Sequence, residues 1–252
     1  MSTLVCLGLG YSARHYVAEF GTRFTRIVGT SRTGETPANA RVEMIPFDGG
    51  TPSPELCQAI ASATALLISA APGDGGDPIL KSLNADIEAA PQLQSIVYLS
   101  SLGVYGDHGG AWVDETSPTI PPHTRGAARV DAEQAWQALG RKRAVPVAIL
   151  RLGGIYGPGQ NAFTRLLAGR AHRIAKPGHV TNRIHVADIA QAIEAAFAKK
   201  ADGIFNVVDD EPAVPVVGVL AEADVRDDEH VRRGAFDGAD RGLDRRVRVV
   251  RG

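Results

Sequence analysis

The sequence predicts an α/β protein built on a doubly wound parallel sheet. Its 252 residues are 44% hydrophobic and 22% charged, the composition of a globular domain with enough chain for a substantial core. Short apolar runs typical of β-strands alternate along the chain with segments of helical periodicity. Because parallel strands need a crossover between them, this alternation favours a parallel sheet with helices on both faces.

The predicted elements follow one another in regular order. The predicted strands are Thr3–Leu7, Thr25–Thr30, Val42–Pro46, Ala65–Ser69, Ser95–Ser100, Val147–Arg151 and Ile204–Val207. The predicted helices, several of them opened by Ser, Asp or Pro, are Ser12–Phe20, Pro54–Ala61, Pro78–Ala89, Arg129–Leu139, Ala162–Leu167 and Val186–Ala198. Ligands of a doubly wound sheet bind at the carboxyl ends of its strands, so candidate site residues are expected directly after strands.

Charge and cysteine content argue against several classes of protein. The chain has 27 Lys and Arg against 28 Asp and Glu, so it has no basic excess that would attract nucleic acid. Cys6 and Cys57 are too few and too far apart for a metal site or a disulfide framework, and no metal is expected. No apolar stretch approaches the roughly 20 residues that span a bilayer, and the first residues lack a signal-peptide pattern. These features predict a cytoplasmic protein without nucleic-acid or membrane partners.

A glycine-rich turn follows the first apolar run and leads directly into a predicted helix. The turn spans residues 8–13 and has the pattern GxGxxA. Gly8 permits a tight turn, Gly10 lets the backbone approach a pyrophosphate, and the small Ala13 allows close packing of helix on strand. The helix N-terminus adds free N–H groups for phosphates. Gly8, Gly10, Tyr11 and Ser12 are therefore candidate residues of a dinucleotide site of the Rossmann type.

The ends of the next three strands supply further candidates for the cofactor site. Arg32 lies after the second strand, where the adenosine ribose of a dinucleotide is expected. No acidic residue stands there to accept from the 2′-hydroxyl of NAD, whereas an arginine pairs with the 2′-phosphate of NADP. The sequence thus favours NADP, with NAD as the alternative. The candidates after these strands are Ser31, Arg32, Asp48, Ser69, Ala70 and Ala71.

A serine-rich segment ends the fifth predicted strand, where Ser100 and Ser101 are followed by Val104-Tyr105-Gly106. This pattern resembles the serine-bearing strand of the extended and atypical short-chain dehydrogenase/reductases, also called the NAD-dependent epimerase/dehydratase family. Residues 112–116, 151–159 and 182–190 resemble later segments of the same family, and the resemblance covers roughly residues 3–212. It implies a Rossmann sheet with a substrate lobe, here reduced. It also implies that Ser101 is the catalytic serine, whose hydroxyl hydrogen-bonds the reacting carbonyl or alcohol.

The chain departs from this family at the acid/base pair. Where the family has Tyr-x-x-x-Lys at the head of a long helix, this chain has Arg125 and Arg129. A tyrosine can act as acid/base because a neighbouring cation lowers its pKa from about 10, whereas arginine, with a pKa above about 12, does not exchange protons near neutrality. Losing the general base costs about 10² to 10⁴ in rate. Arg129 still has donors for the ribose or pyrophosphate of a cofactor.

Four other residues are candidates for the missing proton donor. They are Tyr105, His123, Tyr156 and His185, and Tyr105 is favoured because its segment already carries the catalytic serine. Each has an alternative interpretation as a packing or loop residue. Tyr156, Arg183 and His185 are expected in loops over the nicotinamide and are candidates for substrate contact. Basic residues between positions 160 and 185 favour an anionic substrate, although a solvated basic surface explains them equally well.

The predicted organisation is a Rossmann domain at residues 1–212, with substrate-facing loops at about 153–185, followed by a divergent tail at residues 213–252. Helical and strand periodicity both fade in this tail, so we expect it to be poorly folded.

The predicted function is NADP-preferring oxidoreductase chemistry on a small metabolite, with an anionic one favoured. The missing Tyr and Lys leave open a non-catalytic NADP(H) sensor, and Ser101 together with the loop at residues 156–159 leaves open a nucleotide-sugar epimerase or dehydratase. The expected partner is a small-molecule substrate, and a monomer and a homodimer are both compatible with the sequence.

Overall fold

The computed structural model describes residues 2–34, 41–161, 164, 167–169, 181–211 and 246–247. Its strands are β1 (Thr3–Leu7), β2 (Arg26–Ser31), β3 (Glu43–Pro46), β4 (Ala65–Ile68), β5 (Ser95–Ser101), β6 (Val113–Asp114), β7 (Val147–Leu152), β8 (Gly154–Tyr156), β9 (Arg183–His185), β10 (Gly203–Val207) and β11 (Arg246–Val247). Its α-helices are α1 (Tyr11–Phe20), α2 (Pro54–Ala61), α3 (Pro78–Ala89), α4 (Thr124–Arg143) and α5 (Val186–Lys199). Short 3₁₀ turns follow α1 and β5, at Gly21–Arg23 and Leu102–Val104.

The main sheet has seven parallel strands in the order β3-β2-β1-β4-β5-β7-β10. The chain starts in the middle of the sheet and winds outward first on one side of β1 and then on the other, so the order reverses between β1 and β4. This confirms the predicted doubly wound fold, and each predicted strand lies within one residue of its observed ends. Since all seven strands are parallel, their carboxyl ends meet at one edge of the sheet, and the crevice forms there.

Two hydrophobic cores cover the two faces of the sheet. On one face, Leu56 of α2, Leu83 of α3 and Trp136 of α4 pack against side chains of the central strands. On the other face, Tyr16 of α1 and Ile193 of α5 pack against the alternate strand positions. Successive strand residues point to opposite faces, and both faces of these strands are apolar, which explains the continuous apolar runs in the sequence.

Helix α4 begins five residues before the position predicted from the sequence, at Thr124 instead of Arg129. Gly126 lowers the helix propensity of this first turn by about 1 kcal/mol relative to alanine, which is why the sequence pattern did not indicate a helix there. The structure gives the reason for the glycine, since a Cβ at Gly126 would lie 2.6 Å from the Cβ of Pro121. The first turn of α4 therefore packs closely on Pro121.

The remaining short strands were not predicted. Strands β8 and β9 form a parallel pair, and β6 pairs in antiparallel fashion with β11, with Val113 opposite Val247. Apart from the two residues of β11, the tail at residues 213–252 lies outside the described residues, as does most of the predicted helix Ala162–Leu167. No helix in the described ranges has the length and apolar character that crossing a bilayer requires.

Candidate functional site

The glycine-rich turn between β1 and α1 is held against β2. The Gly8 N–H donates to the Thr30 side-chain oxygen at 2.9 Å, and the Leu9 N–H donates to the Thr30 carbonyl oxygen at 2.7 Å. Gly10 is the N-terminal capping residue of α1, and no side chain caps this helix. The first N–H groups of a helix have no partner within the helix, so the uncapped end of α1 presents donors and a partial positive charge to the crevice. This arrangement suits a phosphate group.

Gly8 is required at its position for a steric reason. Its φ is +92°, and a Cβ added there would lie 2.7 Å from the Ala70 backbone nitrogen. The turn after β1 and the chain after β4 therefore approach each other more closely than any side chain allows. The close approach leaves a smooth backbone floor, which fits the pyrophosphate of a dinucleotide.

A groove of about 510 Å³ runs over this floor along the carboxyl ends of β1 to β4. It is lined by Gly8, Leu9, Gly10, Thr30, Ser31, Arg32, Phe47, Asp48, Gly49, Ser69, Ala70, Ala71, Pro78 and Ile79. The lining includes eight of the residues predicted for the cofactor site, because each follows a strand of the same parallel sheet. Thr30, whose hydroxyl belongs to the same sequence motif as Ser31 and Arg32, also lines the groove.

The polar side chains after β2 and β3 differ in their hydrogen bonding. The Ser31 hydroxyl accepts from the Gly34 N–H at 2.9 Å, and the Asp48 carboxylate accepts from the Gly50 N–H at 2.9 Å, so both stabilise local turns. Arg32 is exposed, and within the described part of the chain its guanidinium has no hydrogen bond or ion pair. Arg32 is thus the cation available to a ligand at this end.

A second cavity of about 890 Å³ adjoins the groove, and Ala71 lines both. Its lining residues are Ala71, Pro72, Gly73, Ser101, Gly103, Pro122, His123, Thr124, Arg125, Gly126 and Arg129. Ser101 and the two arginines at the positions of the family's acid/base pair, Arg125 and Arg129, therefore meet in one cavity. It lies at the carboxyl end of β5, against the first turns of α4.

Ser101 and Arg129 are oriented by contacts with the backbone. Ser101 is the last residue of β5, and its hydroxyl accepts from the Gly103 N–H at 3.2 Å. The Arg129 guanidinium donates through Nη1 to the Leu99 carbonyl oxygen at 3.2 Å. His123 is the N-terminal capping residue of α4, but its side chain does not cap the helix. Its imidazole lines the cavity, and neither ring nitrogen accepts a hydrogen bond from the N–H groups at the start of α4.

Tyr105, the favoured candidate for proton donor, lies elsewhere. It is fully buried, its hydroxyl donates to the Asn206 side-chain oxygen at 2.9 Å, and the Arg151 guanidinium lies 4.7 Å from its ring centroid. It lines neither the groove nor the second cavity. Burial also raises the pKa of its hydroxyl, which disfavours proton exchange near neutrality. The 3₁₀ turn after Ser101 directs Tyr105 into the core, so it is a packing residue.

The predicted substrate residues Tyr156, Arg183 and His185 lie together on the pair of strands β8 and β9. The Tyr156 and His185 rings are 5.1 Å apart, and the Arg183 guanidinium lies 5.4 Å from the Tyr156 ring centroid. The His185 Nδ1 accepts from the Ala187 N–H and caps α5. The three residues line neither of the two cavities.

Two further predicted cofactor residues, Tyr11 and Ser12, also lie outside the groove lining. The Tyr11 hydroxyl donates to the Pro158 carbonyl oxygen at 2.9 Å. Ser12 is buried in the first turn of α1. Tyr11 thus joins the start of α1 to the loop after β8.

A buried ion pair beside the second cavity was not predicted. The Glu133 and Arg151 side chains are 2% and 4% exposed, and Arg151 donates to Glu133 through Nη2 at 2.7 Å and through Nε at 3.2 Å. The Ser100 hydroxyl also donates to Glu133. A signal was present in the sequence, because Arg151 ends the predicted strand Val147–Arg151, which is otherwise apolar, and a buried charged residue needs a partner. The pair joins α4 to the carboxyl ends of β5 and β7.

Comparison with protein families shows which family this chain belongs to. A model of the NAD-dependent epimerase/dehydratase family matches residues 61–207, more than half of the chain. This chain belongs to that family. The resemblance inferred from the serine-bearing strand is thereby confirmed, as is the Rossmann-type fold. No curated protein matches the sequence.

Three solved structures have a similar fold. A conserved protein of unknown function from Silicibacter pomeroyi is 43% identical, over 85% of this chain and 74% of that chain, with a TM-score of 0.71. The dTDP-glucose 4,6-dehydratase of Bacillus anthracis, solved with NAD, is 16% identical over 86% and 78% of the two chains, with a TM-score of 0.71. The UDP-glucuronic acid 4-epimerase of Bacillus cereus, also solved with NAD, is 21% identical over 84% and 79%, with a TM-score of 0.66.

Proposed function

We propose that this chain binds NADP(H) in the groove and acts as an oxidoreductase on a small metabolite bound in the second cavity. The observation that carries the proposal is the junction of the two cavities at Ala71. A dinucleotide whose pyrophosphate lies on the turn at Gly8 and Gly10 extends in one direction to Arg32 and in the other toward Ser101. The cofactor would then meet the substrate where the serine stands.

The groove residues have distinct roles in this proposal. The N–H groups at the start of α1 bind the pyrophosphate, and Arg32 pairs with the 2′-phosphate of NADP(H). Asp48 lies at the adenine end, and the small residues Ala70 and Ala71 leave space for the ribose and the nicotinamide. When bound, the cofactor supplies or accepts the hydride.

The second cavity contains the hydroxyl that binds the substrate carbonyl and the side chain that donates the proton. The Ser101 hydroxyl donates a hydrogen bond to the substrate carbonyl oxygen. His123 takes the role of proton donor that the family assigns to tyrosine, because imidazole is the most common general acid or base in enzymes and this side chain lines the cavity with Ser101. Arg125 and Arg129 contribute guanidinium N–H groups, which are hydrogen-bond donors and have no acceptor.

The proposed cofactor preference predicts a selective effect of Arg32→Ala. We expect the Kd for NADPH to rise by about tenfold to a hundredfold, because a charge-assisted pair with the 2′-phosphate is lost. The Kd for NADH is expected to stay unchanged, which makes NADH the internal control. Fluorescence or calorimetric titration of both cofactors measures this. Equal weakening of both, or tighter binding of NADH by the wild type, would contradict the preference for NADP.

The proposed chemistry predicts that Ser101→Ala and His123→Gln each lower kcat by about 10² to 10⁴ while the Kd for NADPH stays unchanged. The measurement is NADPH oxidation with a panel of aldehydes, ketones and oxo acids. Tyr105→Phe is the matched control, since it removes a hydroxyl outside the cavity and is expected to leave kcat unchanged. A His123→Gln variant as active as the wild type would rule out His123 as the proton donor.

A second candidate function is a non-catalytic NADP(H) sensor. It is favoured by one observation, the presence of arginine at both positions where the family has its acid/base pair. NADPH oxidation with the panel of aldehydes, ketones and oxo acids distinguishes the two functions, because a sensor binds NADPH tightly and turns over no carbonyl compound.

The names of the two neighbours that were solved with NAD also favour testing nucleotide sugars. Conversion of such a sugar without net NADPH consumption would identify an epimerase instead.

A further inference from the structure

We propose that the second cavity is an oxyanion site in which Arg125, Arg129 and the N-terminus of α4 bind a carboxylate or phosphate group of the ligand. The proposal rests on the proposed function for the role of that ligand as the substrate. The ligand class is a small molecule that carries a carbonyl or alcohol for Ser101 and an anionic group for the arginines.

The charge of the cavity lining supports this site. Among the described residues, the lining contains two guanidinium groups and no carboxylate. The first turn of α4 has no acidic residue either. Within the described part of the chain, Arg125 has no hydrogen bond or ion pair, whereas Arg23, Arg26 and Arg151 are each paired with a glutamate. The positive charge in this cavity is therefore uncompensated by described residues, and it favours an anionic ligand.

The hydrogen-bond donors of the site all belong to the first two turns of α4, which form one side of the cavity. Arg125 and Arg129 are four residues apart on α4, so their side chains lie one above the other on the same face of the helix. The bond from Arg129 to the Leu99 carbonyl uses one N–H and fixes the guanidinium at the end of β5, which leaves other N–H groups for a ligand. The uncapped N-terminus of α4, a helix of 20 residues, points its free N–H groups and its positive dipole end toward the same region.

Arg125 distinguishes this site from the cofactor site. Arg129 lies one turn further along α4 and closer to the end of β5, where it is also within the proposed reach of the nicotinamide ribose. Arg125 is exposed to the cavity and lies at the first turn, beside His123 and away from the groove lining. An anion held by Arg125 thus belongs to the substrate and not to the cofactor.

Calorimetric titration of the full chain with malonate and with inorganic phosphate tests the site. The samples are the wild type, Arg125→Ala, Arg129→Ala and, as a matched control, Arg141→Ala, which removes the same charge from the exposed last turn of α4. Each is titrated with and without saturating NADPH. We expect Arg125→Ala to weaken binding of the preferred anion by about tenfold and Arg141→Ala to leave it unchanged. Tighter binding of malonate indicates a carboxylate substrate, and tighter binding of phosphate indicates a phosphorylated one.

Titration with NADPH and titration with the anions distinguish a failure of the oxyanion site from a failure of the proposed function. If NADPH does not bind but the anion binds and Arg125→Ala weakens it, the oxyanion site stands and the proposed oxidoreductase function fails. If NADPH binds with the same Kd in Arg125→Ala and the wild type, but neither anion binds the wild type, the oxyanion site is wrong. The site is also wrong if Arg125→Ala, folded by circular dichroism, binds the anion as tightly as the wild type.

Discussion

Replacing Gly8 with alanine is expected to weaken NADPH binding by at least about a hundredfold. The new Cβ would lie 2.7 Å from the Ala70 backbone nitrogen, and both atoms belong to chain segments that are fixed by the sheet. Relief of this contact requires the turn to move away from β4, and the N–H groups at the start of α1 move with it. A hydrogen bond to a charged group contributes about 1.5–3 kcal/mol, so losing two of them weakens binding by at least about a hundredfold. Titration with NADPH, followed by fluorescence, measures the loss.

Gly203→Ala is the matched control for this prediction. Gly203 also has a positive φ, +124°, but nothing lies within 4 Å of its added Cβ, and it begins β10 at the opposite edge of the sheet from the groove. Backbone strain lowers the stability of both variants by about 1–3 kcal/mol, so a loss of binding that arises from partial unfolding would appear in both. Retained affinity in Gly8→Ala, or loss of affinity in Gly203→Ala, would show that the turn does not form the floor of the cofactor site.

The fold and the cofactor groove could be predicted from the sequence because their signals are local. Each strand of the main sheet is a short apolar run, and the residues after these runs necessarily meet at one edge of a parallel sheet. Arg32 and Asp48 were placed in this way, from position after a strand alone, and the structure brings both to the groove. No knowledge of distant contacts was needed.

The second cavity was predicted only in part, because its residues depend on contacts between distant segments. Tyr105 was favoured for its closeness to Ser101 in the sequence, but its surroundings are set by Asn206 of β10 and Arg151 of β7. Hydrogen bonding to a residue 101 positions away leaves no local pattern. His123 was a weaker candidate from the sequence, and its place in the cavity follows from the earlier start of α4.

Replacing Arg151 with methionine, with Glu133 left in place, is expected to lower the free energy of unfolding by about 3–5 kcal/mol. The Glu133 carboxylate is buried and accepts hydrogen bonds from Arg151 and from the Ser100 hydroxyl. Without the Arg151 guanidinium, the negative charge of Glu133 remains in the core, and the Ser100 hydroxyl is its one described hydrogen-bond donor. Unfolding in urea, followed by circular dichroism, gives the free energy of unfolding. A change below about 1 kcal/mol would contradict the buried pair, since that is the range of a surface ion pair.

The double variant Glu133→Leu/Arg151→Met completes the cycle and is expected to recover most of the stability. Removing both charges also removes the cost of burying them, and replacement of buried pairs by apolar residues is often neutral or stabilising by about 1–4 kcal/mol. The pair would then be retained for a reason other than stability. Glu133 lies four residues after Arg129 on α4, and its partner Ser100 precedes Ser101 on β5. The pair is therefore placed to hold Arg125 and Arg129 in position relative to Ser101. A stable double variant that binds NADPH normally but binds anions weakly supports this positioning role, whereas unchanged anion binding assigns the pair to the packing of α4 on the sheet.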